Sequence, residues 1–227
     1  MRQQLADHVQ RPVAILAGNA SLAGDLTVPA GANGVVLFAH GSGSSRASPR
    51  NVWVAARLAR PGLATLLFDL LTPEEEQRDV HTREHRFDIP LLSQRLVLAT
   101  DWVDAQPELR ALPIGYFGAS TGAGAALVAA AERRERIGAV VARGGRPDLA
   151  GIDALAQVTA PTLLVVGGND DVVIDLNRRA LAAMRCEKRL EIVPGATHLF
   201  EEPGALEQVA ATASQWLVEF LVVQAAR

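Results

Sequence analysis

A chain of 227 residues, 49% of them hydrophobic and 21% charged, has the size and composition of one globular domain with a substantial core. Its formal net charge of −3 offers no basic face for nucleic acid, and no apolar stretch approaches the roughly 20 residues of a membrane span. The amino terminus Met1-Arg-Gln-Gln-Leu-Ala-Asp-His8 lacks the apolar core of a secretory signal, and the single cysteine, Cys186, cannot form an internal disulfide, so a cytoplasmic, reducing location is expected. Arginine supplies 21 of the 22 basic residues, a usage that points to a GC-rich bacterial genome.

Apolar runs at 13–18 and 22–28 flank Gly18-Asn19 and read as an antiparallel hairpin added at a sheet edge. From there on, strand-like runs at 35–40, 63–69, 112–117, 137–142, 162–167 and 189–193 take turns with helical patterns at 48–60, 88–105, 120–134, 174–184 and 204–224. Such alternation predicts an α/β fold: a mostly parallel sheet of about eight strands with helices on both faces, in a single domain over 1–227. The residues that could carry chemistry fall at the carboxyl ends of these strands, where open α/β sheets place their sites.

The run at 35–40 opens into His40-Gly-Ser-Gly-Ser-Ser45, a loop whose glycines let backbone N–H groups converge on an anion. Ser42 is the expected donor there, Ser44 a candidate substrate contact, and His40 a structural residue of the loop. The loop lacks the Lys-Ser/Thr pair of a phosphate-binding loop, which argues against a nucleotide. After the next strand, 71–88 is the longest irregular stretch and a candidate rim over the site, with Leu71 as a substrate contact. Within it, His81-Thr-Arg-Glu84-His85 matches a zinc-protease string, but its flanks are charged on all sides, with no apolar stripe to bury a helix.

Behind the run at 112–117 stands Gly118-Ala-Ser120-Thr-Gly122, read as strand, sharp turn and helix with a serine at the apex. Glycine two residues to either side lets strand and helix approach, while the helix aims free N–H groups and a partial positive charge at the serine. Ser120 is therefore the candidate nucleophile and the Thr121 amide the second oxyanion donor. A serine hydroxyl needs a base, and histidine, with a reference pKa of about 6.5, suits neutral pH. The one histidine after Ser120 is His198, in a Pro-Gly loop ahead of the last helix.

The imidazole needs a carboxylate behind it. Gly167-Gly-Asn-Asp170-Asp171 offers two acids after a buried-strand run. Spacing favours Asp170, while Asp171 is the alternative and at least one of the pair is expected to cap the following helix. After 137–142, Arg143 and Arg146 are candidates to receive an anionic substrate group, although engagement by surface acids or loop carbonyls is the more common fate of such loop arginines. The next helical stretch follows within a few residues, so no large cap domain fits.

Together, His40-Gly-Ser-Gly-Ser-Ser45, Phe68-Asp-Leu-Leu71, Gly115-Tyr-Phe-Gly-Ala-Ser-Thr-Gly122, Gly167-Gly-Asn-Asp170 and Gly195-Ala-Thr-His198-Leu-Phe resemble the α/β-hydrolase superfamily, and within it the dienelactone hydrolase-like group. The resemblance implies a small hydrolase of esters, lactones or related acyl bonds that uses no metal or organic cofactor. Dienelactone hydrolases proper use a cysteine nucleophile; Ser120 here favours a serine carboxylesterase with a Ser120–His198–Asp170 triad. A thioesterase or amidase on the same triad, and a catalytically silent binding module, are the alternatives. The expected partner is a small ester or lactone, with neither nucleic acid nor membrane, and a homodimer is open.

Overall fold

The computed structural model describes residues 8–223. Strands β1 (His8–Ala17) and β2 (Ala20–Pro29) form the edge hairpin, with β2 antiparallel to β4 (Leu63–Phe68). The remaining neighbours are parallel: β4 with β3 (Gly34–Ala39), then β5 (Ile114–Ala119), β6 (Ile137–Arg143), β7 (Thr162–Gly167) and β8 (Lys188–Val193). The sheet therefore has eight strands in the order β1-β2-β4-β3-β5-β6-β7-β8. At the hairpin turn Gly18 takes φ +63°, the positive angle that two-residue turns need to match strand twist.

Every residue of β3, β4, β5 and β7 is buried, as expected of parallel strands covered on both faces. Alternate residues feed two cores. Val35 and Leu37 join Leu92, Leu96 and the alanines of α4 (Thr121–Glu132) on one face, beside α3 (Ile89–Ala105). Val36 and Phe38 join Val54 and Leu58 of α1 (Pro49–Leu58) and Val209, Trp216 and Leu217 of α7 (Ala205–Val218) on the other. Phe38 stacks on Phe117 at 4.9 Å between ring centroids. In α4 nearly every side chain is buried. Alanine and glycine suit this helix because larger residues would hold it away from β5 and the loop after β3.

The structure corrects three sequence readings. The stretch 71–88 is not wholly irregular: it contains α2 (Pro73–Thr82), started by a reciprocal Thr72–Glu75 capping box and ended by Arg83 at φ 59°. That helix carries no apolar stripe, so periodicity hid it, although Thr-Pro-Glu-Glu is a start signal in its own right. The helix expected at 174–184 begins at Asp171 as α6 (Asp171–Ala183). The last helix gives way after Val218 to a π-helical turn, Glu219–Val223. Between β6 and β7 lie only a 3-10 turn, Pro147–Ala150, and the short α5 (Gly151–Gln157).

Because Phe38 is 1% exposed in the two-ring stack, Phe38→Ala should lower stability by about 3–5 kcal/mol in urea unfolding. Val80→Ala, on the exposed side of α2, should stay within about 0.5 kcal/mol.

Candidate active site

Ser120 sits between β5 and α4 with φ +50° and ψ −120°, a backbone conformation that costs about 1–3 kcal/mol in a residue with a side chain. The surroundings hold it there. Its N–H donates to the Arg143 carbonyl at 3.2 Å, and its own carbonyl accepts from the Ala123 and Arg146 amides at 3.1 and 3.0 Å. The side chain makes no capping bond to α4, which leaves the hydroxyl uncommitted to the helix. A Cβ on Gly118 would come within 2.5 Å of the Ala123 Cα, and one on Gly122 within 2.2 and 2.4 Å of the Ala39 and His40 carbonyl oxygens. Both glycines are thus required by the close approach of strand, helix and the loop after β3.

Asp170 and His198 are brought together by the loops after β7 and β8. His198 Nδ1 lies 2.7 Å from Asp170 Oδ2. With Nδ1–H donating to the carboxylate, Nε2 is left as the acceptor, the tautomer a general base requires. Asp170 is the better shielded partner, its side chain 16% exposed against 38% for the imidazole. Asp171 instead begins α6 and is exposed. The two loops are laced by the Gly168 amide on the Val193 carbonyl, the Asn169 amide on the Ala196 carbonyl, and Asn169 Nδ2 on the Gly195 carbonyl, at 2.8, 2.9 and 2.9 Å. A Cβ on Gly167 would approach the Ala196 and Thr197 carbonyl oxygens to 2.4 and 2.6 Å. Serine elbow and imidazole share a neighbour: the Arg143 carbonyl takes the Ser120 amide, and a Cβ on the next residue, Gly144, would sit 3.5 Å from His198 Cε1.

The loop after β3 presses on the serine, where a Cβ on Gly41 would lie 3.1 Å from Ser120 Cβ. His40 anchors it. The buried imidazole accepts the Leu70 amide at Nε2 and faces the Gly41 carbonyl with Nδ1, each at 3.0 Å. Its Nδ1–H therefore donates, and both ring nitrogens are used in the neutral form. Burial lowers its pKa, outweighing the Gly41 bond and the charges of Asp69 and Glu76.

Between this loop and α2 lies a narrow cleft, lined among others by Ser42, Leu71, Glu76, Arg86 and Thr121. The expected contact Leu71 is in this wall. Ser44 is not among its lining residues and closes a turn onto the Gly41 carbonyl at 3.2 Å. Arg146, the second arginine considered for an anion, is held by both oxygens of Asp148 at 2.9 and 2.8 Å. Arg143 is buried.

Arg86 and Glu76 escaped the sequence reading because nothing in 71–88 announces which side chains turn inward. The organising residue is Asp79, fully buried, which accepts from the His85 and Arg86 amides and from Arg86 Nε at 2.7, 3.0 and 2.6 Å. Burial alone would raise its pKa, but these donors more than offset that and hold it below the usual carboxylate value. The zinc-like string is also resolved. Helix α2 stops at Thr82 and the left-handed Arg83 separates His81 from His85, so the two histidines do not share a helix face. Among the described residues no group of three His, Cys, Asp or Glu side chains is placed to hold a metal.

A family model described as the dienelactone hydrolase family matches residues 22–223. The chain belongs to the dienelactone hydrolase family. Among solved structures, the family member resembles a dienelactone hydrolase from Anabaena variabilis with 59% identity and a TM-score of 0.92, covering 94% of this chain and 99% of that one. It is also 59% identical over 209 residues, 92% of its length, to a Mycobacterium tuberculosis protein that bears the name phosphoribosyl transferase. It spans about half of that relative, 46%. A third relative, from Bradyrhizobium, is named a 2-oxo-3-(5-oxofuran-2-ylidene)propanoate lactonase, with 29% identity and 66% of each chain covered. The α/β-hydrolase fold and the family expected from the sequence are thereby established. No helix among the described residues is long and apolar enough to cross a membrane.

Gly122→Ala should lower stability by about 1–3 kcal/mol through overpacking against the loop after β3, checked by thermal melts. The lowered pKa of His40 has its own signature. Since the unfolded chain binds the proton more readily, stability falls as pH drops below the unfolded value of about 6.5 toward the folded one. In His40→Gln, whose amide can both donate and accept, that part of the slope should vanish from melting temperatures taken between pH 7 and 5.

Proposed function

We propose that this dienelactone hydrolase family member is a serine hydrolase that cleaves a small carboxylic ester or lactone through an acyl-serine intermediate. The Asp170–His198 hydrogen bond of 2.7 Å, on the rim that also carries the strained Ser120 elbow, is the observation that carries the reading. In the first half-reaction His198 Nε2 accepts the Ser120 proton as Oγ adds to the carbonyl carbon. The Ser42 and Thr121 amides receive the developing oxyanion. The tetrahedral adduct collapses as His198 returns the proton to the departing alkoxide, leaving an ester on Ser120. A water molecule, deprotonated by the same imidazole, repeats the addition and releases the acid, while Asp170 stabilises the imidazolium in both halves.

The family and its relatives support ester or lactone bonds as the substrate class. The Bradyrhizobium relative is named for a lactone, which fits the small, uncapped cleft. The half of the mycobacterial relative that this chain does not span leaves that protein's transferase name without support in the site described. A small-molecule substrate, a cytoplasmic location and independence from metals belong to the same proposal.

Fluorophosphonate treatment followed by peptide mass spectrometry should place the adduct on Ser120, with labelling and turnover of 4-nitrophenyl acetate both lost in Ser120→Ala. Asp170→Asn should lower kcat by roughly 10³–10⁴-fold while Asp171→Asn stays near wild type. A labelled residue other than Ser120, or equal effects of the two aspartate changes, would overturn the assignment.

A further inference from the structure

Thr121 is the first residue of α4 and directly follows the candidate nucleophile. It is 3% exposed, and among the described residues its Oγ1 is the one buried hydroxyl without a hydrogen-bond partner. Comparable hydroxyls elsewhere are engaged. Thr100 bonds the Leu96 carbonyl and the Tyr116 hydroxyl, Thr162 the Ala160 carbonyl and Ser93 the Pro90 carbonyl, while Ser48 accepts the Asn51 amide. A hydroxyl taken out of water and left unpaired destabilises the folded chain. Such an atom calls for a reason, and a partner that arrives only during a reaction is one.

The surroundings show why no protein group satisfies it. Thr121 lines the narrow cleft together with Ser42, whose other walls include Leu70, Leu71 and Leu92, side chains with no acceptor. His40 in the same lining has both ring nitrogens committed to the Leu70 amide and the Gly41 carbonyl. Glu76, the one acidic side chain there, makes no bond to Oγ1. The first turn of α4 is pressed onto the loop after β3, where a Cβ on Gly122 would meet the Ala39 and His40 carbonyl oxygens, and the Ser120 side chain does not cap the helix. The positive end of α4 is therefore not neutralised by a side-chain cap. Bond lengths and staggered rotamers keep Oγ1 within about 4 Å of the Thr121 amide nitrogen, so whatever that amide binds is within the hydroxyl's reach.

We propose that the Thr121 hydroxyl is a third donor to the oxyanion, beside the Ser42 and Thr121 amides, and thus a catalytic residue through its side chain. The inference rests on the serine-hydrolase reading. As Ser120 Oγ adds to the acyl carbon, the carbonyl π pair moves onto oxygen and makes it a strong acceptor for the waiting O–H. The proton stays on Oγ1 throughout, and the pair returns to the carbonyl when the leaving group departs. A bond made only at this stage lowers the barrier without tightening substrate binding. Threonine suits the task because branching at Cβ restricts its rotamers and holds the hydroxyl ready.

Thr121→Val exchanges the hydroxyl for a methyl group, and Thr121→Ser retains it. With 4-nitrophenyl acetate, Thr121→Val should lower kcat about ten- to a hundredfold. Because both half-reactions pass through the same oxyanion, its KM should stay within about threefold, and Thr121→Ser should keep kcat within about threefold of wild type. Fluorophosphonate labelling of Ser120 should slow in Thr121→Val alongside kcat, since the phosphoryl oxygen occupies the oxyanion position. The melting temperature of Thr121→Val should equal or exceed that of the wild type, because an unpaired hydroxyl has been removed. Unchanged turnover and labelling in Thr121→Val, equal losses in Thr121→Val and Thr121→Ser, or a loss of turnover accompanied by a lowered melting temperature overturns the assignment. Thr121→Ala also lacks the hydroxyl and should show the same loss of kcat, which decides the matter if the valine variant does not fold. The serine-hydrolase reading fails separately, if Ser120 of the unaltered protein takes no label.

Discussion

The loops at the carboxyl edge of the sheet approach so closely that Gly118, Gly122 and Gly167 have no room for a Cβ against neighbouring backbone. Gly118 and Gly122 let α4 descend onto β5 and the loop after β3, and Gly167 lets the Asp170 loop reach the His198 loop, with closest hypothetical approaches of 2.5, 2.2 and 2.4 Å. Everything chemical in the molecule depends on this compression. The positive φ of Ser120 is tolerated because Arg143, Ala123 and Arg146 clamp its peptide groups, and the 2.7 Å contact between Asp170 and His198 exists because their loops share backbone bonds. The cores on either face of the sheet stabilise the fold, and the compressed edge converts that stability into a defined arrangement of side chains.

Two buried polar centres hold the neighbouring walls by opposite electrostatic means. His40 is kept neutral by burial and spends both ring nitrogens tying β3 to the segment after β4. Asp79 is kept charged by three donors from its own segment. Each satisfies the rule that a buried polar group must be fully paired. The Thr121 hydroxyl does not, and that contrast makes it informative.

Much of this is legible in the amino-acid sequence. Uninterrupted apolar runs identify β3, β4, β5 and β7 as strands covered on both faces, and Gly-Ala-Ser-Thr-Gly identifies the elbow, because each encodes its own local geometry. The choice between Asp170 and Asp171 rested on spacing, and the structure pairs Asp170 with the imidazole while Asp171 starts α6. What stayed hidden was non-local. α2 owes its place to a capping box and to Asp79, not to an apolar stripe. The different fates of Arg143 and Arg146, three residues apart, depend on Asp148 being within reach of one and no acid within reach of the other. Pairing of that kind leaves no periodic trace in a chain.

The segment bearing Arg86 is tied down at both ends. Capped by Thr72 and Glu75 at its start and bolted at its end by Arg86 to Asp79, it is a braced wall of the cleft, and a molecule entering between it and the loop after β3 meets a surface whose shape these bonds define.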